Sequence, residues 1–111
     1  MLNTGRSHAK VPTHTSFQLN QQTSVKISSA TDKREYFYVC LSGGRNTVKV
    51  FIKLQAASVD NDKKGIWIGR ELDEDGSFVQ PYWQMPESIH YPGEICAIAE
   101  SGSPTIYVTE Y

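Results

Sequence analysis

The chain has 111 residues, a formal net charge of −1, 39% hydrophobic residues and 21% charged residues. That is the size of one domain, with room for one core that needs no disulfide or metal to hold it. The near-neutral balance argues against nucleic acid as the main partner, since duplex binding draws on a basic face. No apolar run approaches the roughly 20 residues of a membrane helix.

Residues 1–15 carry Arg6 and Lys10 and no acid, so they sum to +2 and leave −3 for the rest. His8 and His14 lie in the same stretch. It is polar, contains Gly5 and Pro12, and shows neither helical nor strand periodicity. The expectation is an extended N-terminal arm over 1–15 that orders on a partner's surface, and a β-domain over 16–111. Arg6, His8, Lys10, Val11 and Pro12 are the candidate contact residues of that arm. No apolar stretch of the kind found in a secretory signal follows Met1, so no leader is expected.

The body reads as strands. Ser24–Ser28 alternates polar and apolar, the mark of a half-buried strand. Tyr36–Leu41 is a continuous aromatic and β-branched run, so cover on both faces is expected. Ser42-Gly43-Gly44-Arg45-Asn46 reads as a turn. Thr47–Leu54 alternates again, which predicts a hairpin with the preceding run. Lys53–Asp60 is the sole helix candidate, about two turns long and marginal in isolation. Gly65–Gly69 is a short strand in which Trp67 is expected to be structural. Ser77–Gln80, Ser88–Tyr91, Gly93–Ala99 and Thr105–Thr109 read as further strands. About eight strands in about 95 residues, with turn signals between them, predict an all-β, compact two-sheet sandwich, jelly-roll-like.

Chemical motifs are sparse. The histidines and cysteines lack metal-ligand spacing. Cys40 and Cys96 sit in apolar strand runs and read as reduced, packing cysteines. There is no nucleophile elbow, and Ser42-Gly43-Gly44 lacks the Lys-Ser/Thr pair of a phosphate loop. Asp73-Glu74-Asp75-Gly76 is acidic, but Gln84 stands where an EF-hand would need its last carboxylate. An acidic turn fits better than an ion site. No enzyme, metal or cofactor is expected. The loop Pro81–Pro86 concentrates aromatic load: Tyr82, Trp83 and Met85 could anchor a protein interface, stack on a sugar, or cover the core.

The order of landmarks carries a resemblance. Lys33-Arg34 precedes the apolar strand, Lys64-Gly65-Ile66 starts another, and the run Gly93-Glu94-Ile95-Cys96-Ala97-Ile98-Ala99 leads through a Ser-Gly-Ser turn to Val108-Thr109-Glu110. Over residues 16–111 this resembles the small capsid decoration (staple, or cement) proteins of tailed phages, such as Salmonella phages of the epsilon-fifteen type. The resemblance implies a non-enzymatic virion protein on the outer surface of an icosahedral head. It implies a jelly-roll body paired as a homodimer, arms over neighbouring subunits, and the major capsid protein as partner. Neither nucleic acid nor membrane is implied, and assembly in the host cytoplasm agrees with unpaired cysteines. Two other readings remain: a head-fibre or tail component, and a carbohydrate-binding β-sandwich using Tyr82 and Trp83.

Overall fold

The computed structural model describes residues 11–43, 47–58, 62–73 and 76–111, with 71–73 and 76–79 described by backbone only. Nine strands lie within the described residues: β1 (Thr13–Gln18), β2 (Val25–Ser28), β3 (Phe37–Leu41), β4 (Val48–Lys53), β5 (Ile66–Asp73), β6 (Gly76–Gln80), β7 (Tyr82–Gln84), β8 (Ile95–Ser101) and β9 (Thr105–Glu110). They form a four-stranded sheet, β1-β9-β3-β7, and a five-stranded sheet, β2-β8-β4-β5-β6. Every pairing is antiparallel. The expectation of an all-β, two-sheet sandwich is met.

The pairing is nested. β1 pairs with β9, β2 with β8, β3 with β7, and β4 with β5. Successive strands β1 to β4 alternate between the sheets. The chain is thus one long hairpin rolled up, which is the logic of a jelly roll, and β6 extends one edge.

Strict alternation builds the core between the sheets. Phe37, Val39 and Leu41 of β3, with Ile106 and Val108 of the adjacent β9, face Val48, Val50 and Ile52 of β4 and Ile95, Ala97 and Ala99 of β8. Each fully buried aliphatic or aromatic side chain of this kind contributes about 1.5–3 kcal/mol. Cys96 and Ile98 alternate to the opposite side of β8 and are still fully buried. The segment after β4 crosses that side: the Cys96 thiol donates to the Ala56 carbonyl at 3.8 Å, and Ser58 and Ser24 exchange hydrogen bonds of 2.9 and 3.0 Å.

Several expectations are corrected. β3 and β4 are not a hairpin. They lie in different sheets, and each finds its partners far along the chain. β3 is covered on one face only, because Tyr38 and Cys40 point away from the core and are half-buried. Ser88–Tyr91 is not a strand: the Ile89 amide donates to the Pro86 carbonyl in a turn. Residues 54–58 are irregular, not helical, and Val59 and Asp60 lie outside the described residues. The strand at Gly65 runs on through Gly69 to Asp73. Gly65 holds a φ of +126°, and a Cβ there would stand 2.5 Å from the Ile52 carbonyl oxygen. Gly44, Arg45, Asn46, Glu74 and Asp75 lie outside the described residues, so the acidic-turn reading falls there too.

Candidate functional site

The arm expectation divides at Pro12. Residues 1–10, with Arg6, His8 and Lys10, lie outside the described residues. Val11 is 83% exposed and Pro12 is exposed. From Thr13 onward the chain is β1, so the proposed arm boundary at residue 15 is corrected: Thr13, His14 and Thr15 pair with Glu110, Thr109 and Val108. The polar sequence Thr-His-Thr-Ser hid a strand because its cross-strand partners sit almost a hundred residues away. Only Phe17 of β1 packs against the core.

β1 is an edge strand carrying no Lys, Arg, Asp or Glu. Exposed edges in natural sheets are usually blunted with charge, prolines or bulges. Here Pro12 stops the ladder at one end, and the rest of the edge carries no such device.

Beneath the root of the arm lies a buried cation. The Arg34 side chain is only 3% exposed. Its Nη1 donates to the Tyr91 carbonyl at 2.5 Å. Its Nη2 reaches Ser28 Oγ and the Ser29 carbonyl at 2.8 Å, and the Gly93 carbonyl at 3.2 Å. Its Nε faces Glu110 Oε2 at 3.7 Å, and Ser28 Oγ donates to the same carboxylate oxygen at 2.6 Å. One guanidinium therefore ties together the end of β2, the 91–93 segment and the end of β9. A depression of about 250 Å³ beside it is walled by Val11, Thr13, Thr31, Lys33 and Tyr111. Sequence reading used Arg34 only as a landmark. A basic residue directly before an apolar strand was the signal available, but it did not reveal burial.

The Pro81–Pro86 loop is corrected in form. Tyr82–Gln84 is the short edge strand β7, paired with β3, and its flanking prolines are tolerated because the edge is open. Alternation then separates the candidate residues. Trp83 lies opposite buried Val39, and its ring meets Phe37 at 6.1 Å between centroids. Met85 also packs against the core, and its amide donates to the Phe37 carbonyl. Tyr82 points the other way and is 54% exposed. Tyr82 and Trp83 therefore do not form one stacking platform.

Tyr82 instead joins a wider surface, which the sequence reading missed. The outer face of the four-stranded sheet is laid out in rows across the strands. One row is His14, Thr109, Tyr38 and Gln84; the next is Ser16, Tyr107, Cys40 and Tyr82. Gln18 and Thr105 continue it at one end, and Tyr36 and Tyr111 at the other. Five of the six tyrosines in the chain lie on this face. Tyr36 stacks on Tyr111 at 5.1 Å, and Tyr38 on Tyr82 at 5.6 Å. Burial raises the Tyr38 phenol above its ordinary pKa, with Cys40, Tyr36 and Tyr82 adding to the shift. Burial likewise pushes the Cys40 thiol up. The outer face of the other sheet is different in kind, with Lys26, Lys49 and Glu100 on its strands. There Lys49 lies over the Trp67 ring at 5.7 Å and meets Glu100 at 3.8 Å.

Comparison with protein-family models, curated proteins and solved structures returned no match.

The site is therefore read from its own chemistry. Cys40 and Cys96 form no disulfide and occupy outer faces of different sheets. Among the described residues no three His, Cys, Asp or Glu side chains come together as a metal-holding set. Also among them, no helix is long and apolar enough to cross a membrane. What the surface offers is contact area: an uncharged edge, an arm root and a tyrosine face.

Proposed function

We propose that the chain is a non-enzymatic capsid decoration protein of a tailed phage. It binds the outside of the head, bridges neighbouring subunits of the major capsid protein as a homodimer, and resists the pressure of packaged DNA. The observation that carries this reading is the bare edge of β1, with exposed Val11 and Pro12 leading into it. Val11 and Pro12, which follow the sequence segment bearing Arg6 and Lys10, lead into β1, whose outer backbone edge has no neighbouring strand among the described residues. Such an edge can receive a strand from a neighbouring subunit, with main-chain hydrogen bonds supplying the affinity. The arm adds a second contact, and two linked contacts raise retention well beyond either alone. The sandwich behind them is a stiff spacer, and Arg34 fixes its arm-proximal end.

Purified phage shells lacking the protein provide the test. The full chain should co-sediment with them and raise the temperature at which they rupture. A form lacking residues 1–12 keeps β1 and should fold as well, yet bind at least about tenfold more weakly, the effect of losing one of two linked contacts. Equal binding and equal protection by the shortened form would refute the arm's role. No binding by the full chain would refute the reading itself.

A further inference from the structure

We propose that the outer face of the β1-β9-β3-β7 sheet binds neutral carbohydrate. The argument starts from charge. The strand residues pointing out of this face include no Lys, Arg, Asp or Glu, whereas the opposite sheet carries Lys26, Lys49 and Glu100. A carboxylated, sulfated or phosphorylated ligand would find no cation among the described outward-facing strand residues, and nucleic acid would find no counter-charge on them. An ammonium ligand would find no carboxylate. The surface suits a ligand that is itself uncharged.

The second step is the mixture of groups. A sugar presents an apolar C–H face and a rim of hydroxyls. This sheet face sets tyrosine rings beside hydroxyl, amide and imidazole groups in the same rows, at strand and residue spacings of about 5–7 Å. At Tyr107, which is 48% exposed, the face dips into a depression of about 410 Å³ that His14, Ser16 and Thr109 also line. That volume falls within the range of small-ligand sites, about 300–1,000 Å³. His14 Nδ1 and Thr109 Oγ1 lie 2.9 Å apart, so the polar wall is pre-positioned by its own hydrogen bond. The neighbouring phenol of Tyr38, with its raised pKa, keeps its proton at neutral pH and adds another hydroxyl to the face.

The occupant is distinct from the capsid. Attachment in the reading above uses the arm and the backbone edge of β1, and this inference stands or fails without it. The experiment is an array of neutral and acidic oligosaccharides probed with the full chain, free of shells. Hits are then titrated against wild type, Tyr107→Ala, Tyr82→Ala and, as a control on the opposite sheet, Lys26→Ala. Binding should fall on neutral glycans, weaken about tenfold or more in Tyr107→Ala, and stay unchanged in Lys26→Ala. Thermal unfolding confirms that each variant folds. Three results would overturn the proposal: no neutral glycan bound, acidic glycans alone bound, or affinity unmoved by both tyrosine variants. A chain that sediments as a dimer, and becomes monomeric in Tyr107→Ala, would assign the face to a second copy and overturn it as well.

Discussion

The Arg34 side chain is only 3% exposed, its guanidinium held by Ser28, three carbonyls and the Glu110 carboxylate. Removing the guanidinium leaves several buried oxygen acceptors without a donor and the partly exposed Glu110 carboxylate without its cation. Arg34→Ala should therefore cost about 3–5 kcal/mol in chemical unfolding. A loss below about 1 kcal/mol would mean that water replaces the network, as at a surface ion pair. A second residue-scale expectation concerns pH. Tyr38 and Cys40 both hold their protons more tightly in the folded state, chiefly through burial. The unfolded chain releases those protons first, so folding is most favoured below the ordinary thiol and phenol ranges and weakens as pH climbs through them. Unfolding midpoints should thus fall between about pH 7 and about pH 10.5, and Tyr38→Phe should flatten part of that slope. A midpoint that rises, or a slope indifferent to Tyr38→Phe, contradicts the assignment. Little of this was legible in sequence. A buried arginine and an exposed one look alike until the segments that supply its acceptors are brought together.

At the scale of elements, β7 shows what three residues between prolines can do. Trp83 faces the core, and Tyr82 faces out with more than half its surface exposed. Trp83→Ala should cost about 3 kcal/mol, whereas Tyr82→Ala should stay within about 1 kcal/mol. Equal losses would show that β7 does not alternate as a paired strand. β4 was legible because period-two patterning records a buried face directly, and β3, β8 and β9 because apolar, β-branched runs between turn residues mark strands even where the alternation is masked. β1 and β7 were not. β1 spends one apolar residue, Phe17, on the core, so its sequence carries almost no periodicity. β7 was hidden by the prolines that bound it, which exclude a central strand but leave an edge strand possible. Ser88–Tyr91 erred the other way: a short apolar and aromatic stretch resembled a strand, but it begins in the turn closed by the Ile89 amide on the Pro86 carbonyl and joins neither sheet.

At the scale of the whole molecule, strand count and sandwich class could be inferred from spacing, but partner choice could not. Adjacent runs such as β3 and β4 look like a hairpin, yet each pairs across the nested roll, and their apolar faces meet from opposite sheets in one core. The candidate surfaces were legible in the same uneven way. The arm announced itself by composition, while the tyrosine face appeared only when four strands distant in sequence were set side by side. The proposed decoration role joins the two-sheet sandwich, the uncharged edge of β1 and the basic composition of the sequence that precedes it. Its most direct test is electron imaging of phage particles with and without this protein. The account predicts regularly spaced density over the entire outer surface of the head, lost when the protein is absent, together with earlier rupture on heating. Density confined to a single vertex, a fibre or the tail, or particles identical in both preparations, would contradict it.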